Sequence, residues 1–268
     1  MRRTDNEFLA RYGPWGVVAG ASEGIGRAFS SELARRGLNL IVVARRRTEL
    51  EDFAALLRSD YGVEARALVL DLVGEDAAAR IEEATEDLDV GMLVYNAAYS
   101  LIGPFLDAPV EEHLKELDVN CRTALKLTHL FAKRCAGRGR GGIVLLSSMA
   151  GFQGSPLIAN YAATKAYNMI LAEGLWEELR EAGVEVLACC AGATRTPNYQ
   201  RSGPSGASAM VPVMEAEAVA REALAELGGG PSIIPGRRNR IASFLMRKLL
   251  SRRRAISVMG NNMRSMYP

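Results

Sequence analysis

Histidine and cysteine are scarce in this chain, and their scarcity closes off several chemistries. The 268 residues hold two histidines, His113 and His129, and four cysteines, Cys121, Cys135, Cys189 and Cys190. No cysteine pair has C-x-x-C spacing and neither histidine adds a metal-ligand pattern, so no metal site is expected. The cysteines read as reduced core thiols of a cytosolic protein. No apolar run approaches the ~20 residues that cross a bilayer. Met1 to Pro14 is charged and lacks the apolar segment of a secretory signal. A net charge of +2 makes no case for nucleic acid as a partner. Acidic residues are also missing from the whole of 231–268, where nine arginines and lysines lie, so the first 230 residues stand at −7 once the tail's +9 is taken from the overall +2.

What is present is an ordinary globular composition, 49% hydrophobic and 24% charged, arranged as alternating apolar runs and helical patterns. Strands are expected at Trp15–Ala19, Leu38–Ala44, Ala65–Leu70, Val90–Tyr95, Gly142–Ser147, Val184–Cys190 and Ser232–Ile234. Helices are expected at Gly24–Arg36, Thr48–Tyr61, Glu75–Leu88, Val110–Cys135, Ala159–Ala182 and Glu215–Leu227. Runs such as WGVVA, LIVVA and VLACC are apolar at consecutive positions, as strands covered on both faces require. The fold expected is therefore α/β, a Rossmann-type doubly wound parallel sheet of about seven strands with helices on both faces. Residues 1–236 form one domain in this reading, and 237–268 a basic extension packed on it or projecting from it. Gln200–Val213, with two glycines and two prolines, suits a mobile loop covering a substrate.

The first strand runs into Gly20-Ala21-Ser22-Glu23-Gly24-Ile25-Gly26 and then a helix. Between a strand and a helix, spaced glycines permit a tight turn and close approach of the backbone to a pyrophosphate. The helix N-terminus adds free N–H groups and partial positive charge. The second strand ends in Ala44-Arg45-Arg46-Arg47, with no acidic residue for a ribose 2′-hydroxyl. A guanidinium pairs bidentately with a 2′-phosphate. That role falls to Arg45, and NADP(H) is the cofactor expected; the plain alternative is a solvated basic turn.

Tyr161 and Lys165 stand four residues apart on one helix face. A phenol with a pKa near 10 is a poor base at neutral pH, and a nearby ammonium favours its phenolate. A shift of ~3 units needs ~4 kcal/mol, a sum within reach of a desolvated lysine and a nicotinamide cation together. Ser148, just past the fifth strand, could donate to a carbonyl oxygen on which charge develops.

In these residues the chain resembles the short-chain dehydrogenase/reductase family, from Gly13 to about Gly236. The matching pieces are the glycine loop, Asp71 after the third strand, Asn96 after the fourth, Asn120, Ser148, and the Tyr161/Lys165 pair. The resemblance implies Asn120, Ser148, Tyr161 and Lys165 as catalytic residues. Lys165 would bond the nicotinamide ribose, Asn120 would hold a relay water, and Asp71 with Leu72 would frame the adenine. Gly20, Ser22, Gly24, Ile25, Gly26, Arg45, Asn96, Tyr161, Thr194 and Thr196 would complete the cofactor's contacts. For Asn120 the alternative is a buried structural or helix-capping amide. Tyr12-Gly13-Pro14-Trp15, the glycine loop and Glu32 to Asn39 look closest to the hydroxysteroid dehydrogenase and long-chain 3-ketoacyl reductase branch. That implies reduction of an apolar, steroid-like or fatty-acyl-like ketone by a homodimer or homotetramer. An NAD(H)-linked alcohol dehydrogenase and a non-catalytic cofactor-binding sensor are the alternatives. The chain departs from the family in Tyr95-Asn96-Ala97-Ala98, where Asn-Asn-Ala-Gly is usual, in Ala191-Gly192 for Pro-Gly, and in Ala19 for Thr. Substrate choice is expected to lie in Ser100–Phe105, Phe152–Leu157 and Gln200–Val213.

Arg240–Arg254 reads RIASFLMRKLLSRRR, with Ile241, Phe244, Leu245 and Leu249 at helical spacing. A basic amphipathic helix of this kind serves peripheral contact with an anionic membrane, a subunit interface or a flap over an apolar substrate. Only Phe244 interleaves its arginines, which argues against nucleic acid.

Overall fold

Seven parallel strands make the central sheet of the computed structural model, which describes residues 4–203 and 212–267. The strands are β1 (Trp15–Ala19), β2 (Asn39–Ala44), β3 (Ala65–Val69), β4 (Val90–Tyr95), β5 (Gly141–Ser148), β6 (Val184–Ala191) and, after a short parallel pair β7 (Thr194–Arg195) and β8 (Met214–Glu215), β9 (Ser232–Ile233). Their order is β3-β2-β1-β4-β5-β6-β9, the doubly wound arrangement. The chain reverses its direction of winding between β1 and β4, so the crevice beyond their carboxyl ends is the expected ligand site.

Alternate residues of each strand feed two separate cores. Val18, Leu40, Val42, Val94 and Leu187 meet α2 (Gly24–Arg35), α3 (Arg47–Tyr61) and α9 (Ala216–Glu226) through Phe29, Leu33, Phe53 and Val219. Val17, Ile41, Leu93, Leu145 and Val186 meet α4 (Ala77–Glu83), α6 (Ala124–Arg138) and α7 (Ala159–Glu178) through Ile81, Leu127, Phe131 and Met169. This is why the strand runs are apolar throughout.

The structure departs from the sequence reading in four elements. A first helix, α1 (Asp5–Tyr12), precedes the sheet and starts with a capping box between Thr4 and Glu7. The helix expected at Glu75–Leu88 is only α4, because the Thr85 hydroxyl bonds the carbonyls of Ile81 and Glu82 and the chain turns there. The helix expected at Val110–Cys135 is α5 (Val110–Leu117), a π-turn at Asp118–Thr123 and α6. The single tail helix is two, α10 (Arg237–Leu249) and α11 (Arg252–Met266), divided where the Ser251 hydroxyl caps the second. Of the loop expected at Gln200–Val213, the beginning ends a short helix α8 (Pro197–Arg201), and residues 204–211 lie outside the described ones. Among the described residues no helix is long and apolar enough to cross a membrane, and no cluster of His, Cys, Asp and Glu is suited to a metal.

Candidate active site

A cavity of about 1440 Å³ opens over the carboxyl ends of β1, β4, β5 and β6. Every position expected to hold cofactor or perform chemistry faces it, except Gly26 and Asn120.

At one end lies the glycine loop. Gly20 has φ +82°, and a Cβ there would stand 2.7 Å from the Ala97 backbone. At Gly26 a Cβ would stand 2.1 Å from the Gly20 carbonyl oxygen, so only glycine lets the helix pack this close to its strand. Asn96 locks the turn by donating its amide to that carbonyl at 2.8 Å. No side chain caps the N-terminus of α2, which leaves its first N–H groups directed at the cavity. These features fit a dinucleotide pyrophosphate. Asp71 and Leu72 border the same end, Asp71 accepting from the Val73 N–H at 3.2 Å.

Arg45 is exposed at the cavity and forms no salt bridge with any described residue. Sequence reasoning missed its neighbour. Arg46 reaches over the loop to Ser22 Oγ at 3.1 Å and Glu23 Oε2 at 2.7 Å. Arg201 of α8 donates to the same Glu23 oxygen at 3.1 Å. Burial alone would raise the Glu23 carboxyl, but hydrogen bonds from Arg201 and Arg46 outweigh it and hold the group below the usual carboxylate range. The run of three arginines was the visible signal; that the second, not the first, touches the loop depends on side-chain reach. Thr194 and Thr196 close the opposite wall, bonding the Gly192 carbonyl and capping α8 respectively.

In the middle of the cavity β5 and α7 bring three side chains together. Ser148 ends β5, accepts from the Ala150 N–H at 3.2 Å and lies near enough to the Tyr161 phenol to lower its pKa. Lys165 is 3% exposed, donates to the Leu146 carbonyl at 2.8 Å and lies 5.5 Å from the Tyr161 ring centre. Without the nicotinamide cation that the expected phenolate also needs, burial governs both residues. Burial pushes Tyr161 up to about 12, and the Ser148 hydrogen bond only partly offsets it. Burial likewise pushes Lys165 down to about 8. In the protein alone the lysine does not produce a phenolate; the phenol keeps its proton across the neutral range, as a donor to a carbonyl oxygen must.

Asn120 lies fully buried behind these groups, in the π-turn. Its amide is spent on the main chain of Tyr99, accepting from N–H and donating to C=O at 2.8 Å each, and on Thr164 Oγ1 at 3.0 Å. Its carbonyl accepts from Asn168 at 3.0 Å. The side chain therefore acts as a structural clamp.

Beyond Tyr161 the cavity turns apolar. Its walls there include Phe152, Met246, Met259, Met263 and Met266, four of them from α10 and α11. The tail thus folds over the site. Asn239 donates to the Pro235 carbonyl at 3.0 Å, Arg240 pairs with Glu222 at 3.0 Å, and Tyr267 shares a hydrogen bond with Ser202 at 2.9 Å.

A profile of the short chain dehydrogenase family matches residues 15–205. The chain is 37% identical over 233 residues to a 7beta-hydroxysteroid dehydrogenase of Clostridium sardiniense, covering 87% of this chain and 89% of that protein. A solved structure that gives insight into 7beta-hydroxysteroid dehydrogenase stereoselectivity superposes with a TM-score of 0.89 at 33% identity, over 94% of this chain and 98% of the other. A short-chain dehydrogenase from Sphingobium yanoikuyae in complex with NADPH gives a TM-score of 0.75 at 32% identity, over 83% and 87%. This chain belongs to the short-chain dehydrogenase family. It is an oxidoreductase of hydroxyl and carbonyl groups, hydroxysteroid dehydrogenase-like, that takes a nicotinamide cofactor.

The buried ammonium has a measurable cost. Lys165 has a depressed folded pKa, so below about 8 the native state carries a charge that burial disfavours. The penalty fades as pH rises towards the unfolded value near 10.5, and stability rises with it. Lys165→Met is expected to abolish turnover yet raise stability at pH 7 by about 1–3 kcal/mol, the lost Leu146 hydrogen bond limiting the gain. The gain should shrink between pH 8 and 10.5. Urea melts at several pH values check this; a destabilised variant at pH 7 would show that the ammonium is net favourable.

Proposed function

We propose that the protein is an NADP(H)-dependent reductase of bulky, apolar, steroid-like ketones, working reversibly on the matching secondary alcohols. The observation that carries this reading is the Ser148–Tyr161–Lys165 group, set midway between a phosphate-binding loop and an apolar chamber. The cofactor supplies or takes up the hydride. Tyr161 gives its proton to the carbonyl oxygen while Ser148 donates a hydrogen bond to the same oxygen, so charge is met as it develops. Lys165 positions the nicotinamide ribose and, as an ammonium, eases loss of the Tyr161 proton in the alcohol-to-ketone direction. Asn120 holds the relay water through its carbonyl, which also accepts from Asn168. Gly20, Ser22, Gly24, Ile25 and Gly26 take the pyrophosphate, Asp71 and Leu72 frame the adenine, and Asn96, Thr194 and Thr196 border the nicotinamide half.

The preference for NADP(H) rests on charge. Arg45, without an acidic partner, takes the 2′-phosphate, with Arg46 beside it. Exposed apolar side chains along α5 and α7, Val110, Leu114 and Ile170 among them, support a homo-oligomer.

Turnover of 7-oxo and other ring ketones with NADPH tests the assignment. Tyr161→Phe is expected to lower kcat at least a hundredfold, within the ~10²–10⁴ range of acid–base catalysis, with cofactor binding kept; a loss under tenfold would remove Tyr161 from the chemistry. Arg45→Asp should weaken NADPH at least tenfold more than NADH, since a charge-assisted pair is worth ~1.5–3 kcal/mol. Equal losses in fluorescence titrations would take the 2′-phosphate away from Arg45.

The tail we read as a flap packed on the 1–236 domain, because α10 and α11 wall the apolar chamber. Truncation after Gly236 should leave NADPH binding within about threefold and raise KM for large ketones more than tenfold. Membrane contact through the exposed Ile241, Phe244 and Leu249 of α10 makes a different forecast. Full-length protein would then sediment with anionic vesicles at low salt and the truncated chain would not. Loss of NADPH binding on truncation would make the tail part of the core.

A further inference from the structure

Glu116 is a carboxyl with none of its surface exposed, on α5, one helical turn before Asn120. Its two oxygens serve different segments. Oε1 accepts from the Leu101 N–H at 3.2 Å, and Oε2 accepts from the Asn160 amide at 2.6 Å. The same Asn160 nitrogen donates to the His113 carbonyl at 3.0 Å. Leu101 lies in the run after β4 whose neighbours Tyr99, Ser100 and Ile102 face the cavity, and Asn160 directly precedes Tyr161 in the first turn of α7. Asn120 holds Tyr99 from the same helical line. Two side chains one turn apart therefore grip alternate residues of the cavity wall, and both carry the connection on to the turn that holds Tyr161, Asn120 through Thr164, which donates to the Tyr161 carbonyl at 2.7 Å, and Glu116 through Asn160.

We propose that Glu116 is a positioning residue that holds the first turn of α7, and with it Tyr161, against the wall at 99–102, and adds a negative charge to the surroundings of the phenol. The proposal rests on the role given to Tyr161 above. A buried carboxyl is retained at a cost unless its hydrogen bonds are needed, and a leucine here would satisfy the helix while leaving the Leu101 N–H and Asn160 amide without partners. The titratable groups whose charge bears on the carboxyl are His113 on its own helix, Tyr99 on the wall, Cys121 in the π-turn, and Tyr161 and Lys165 on α7. Burial raises Glu116, against the Leu101 N–H, the Asn160 amide, His113 and Lys165. The raised Tyr161 owes most to burial, with the Glu116 charge adding to it. The sign follows: an ionised Glu116 opposes the phenolate, so Tyr161 holds its proton to higher pH.

Two substitutions separate charge from reach. Glu116→Gln keeps the volume and an acceptor for Leu101, but removes the charge and meets the Asn160 nitrogen with a second donor. Glu116→Asp keeps the charge and shortens the reach. The midpoint of Tyr161 is read in the protein with NADP⁺ by NMR of ring-labelled tyrosine, with Tyr161→Phe assigning the signal, so no substrate is needed. Glu116→Gln is expected to lower that midpoint, by less than burial of the phenol raises it, and Glu116→Asp to leave it nearly in place. On a ketone that wild type reduces, both should lower kcat about tenfold with KM changed less than threefold, the loss for Glu116→Gln following the displaced midpoint along the basic limb. An unmoved midpoint in a folded Glu116→Gln protein, whatever its melting temperature, overturns the proposal, as does an equal displacement in Glu116→Asp. A displaced midpoint in a protein that reduces no ketone upholds Glu116 and overturns the proposed function instead.

Discussion

The Lys165 ammonium lies almost out of water against the Leu146 carbonyl, and several kcal/mol of desolvation stand against that placement. It is held because β5 takes α7 at two points of one residue. While Leu146 accepts from the ammonium, the Ser147 hydroxyl donates to the main-chain carbonyl of Lys165 at 2.7 Å. The next strand residue, Ser148, then lies near the phenol of Tyr161, one helical turn earlier. The register of helix on strand thus comes from Lys165 at both its ends, and the Ser148–Tyr161 contact follows from it. Gly151 completes the fit: a Cβ there would stand 2.8 Å from the Ala166 nitrogen, so any other residue pushes the turn after β5 off the helix. β5 can serve as a fixed reference because it lies between β4 and β6, in unbroken register with β6 from Gly141–Val184 to Ser148–Ala191.

The other side of the site is referenced to the same strands by a different device. An uninterrupted helix from Val110 onward would carry Asn120 past the wall. The π-turn adds a residue at that point, and such turns collect at functional places because they redirect one side chain. Three bonds stabilise it: the Tyr95 phenol takes the Val119 carbonyl, Thr123 Oγ1 takes the Leu72 carbonyl at 2.8 Å, and Asn168 takes the carbonyl of Asn120. Tyr95 ends β4 and Asn168 sits on α7, so the turn is tied both to the sheet and to the helix of Tyr161. Burial pushes the Tyr95 phenol far above its ordinary range, which makes it a permanent donor. The Tyr95-Asn96 pair, where the family has two asparagines, thereby becomes understandable: the first position is used to secure the turn.

The strands and the glycine loop were legible because their signals are local. Five or six apolar residues in a row, or glycines between a strand and a helix, decide structure within the segment that carries them. The Tyr161/Lys165 pair was legible for the same reason, since four residues on a helix share a face. The π-turn was not, because Asn120, Tyr95 and Thr123 meet only across the fold and nothing in DVNCRT differs from a helical sequence. Glu116 was lost in EEHLKEL, where Glu111 is a surface charge and Glu112 is half-buried, and only the packing of α5 separates the three. α1 carried a readable capping box, Thr4 to Glu7, overlooked beside the charges of the N-terminus. The tail's helical spacing was clear and its partner was not: Met259, Met263 and Met266 show their use only once the cavity they wall exists.

Charge at the phosphate end follows from one carboxylate. Glu23 stands at the N-terminus of α2, where a negative side chain competes with an anionic ligand for the same N–H groups. Two guanidiniums from distant parts of the chain, Arg46 and Arg201, occupy it, and together they exceed its charge. With Arg45 the cluster at the loop carries three positive charges against two negative ones, Glu23 and the Glu49 that lies 3.6 Å from Arg46, so the field there attracts a phosphate despite the carboxylates. The arrangement also joins the glycine loop to α8, directly before the segment that was expected to cover the substrate. Glu23 is therefore better understood as the fixed counter-ion that keeps both arginines over the cleft than as an obstacle to the cofactor.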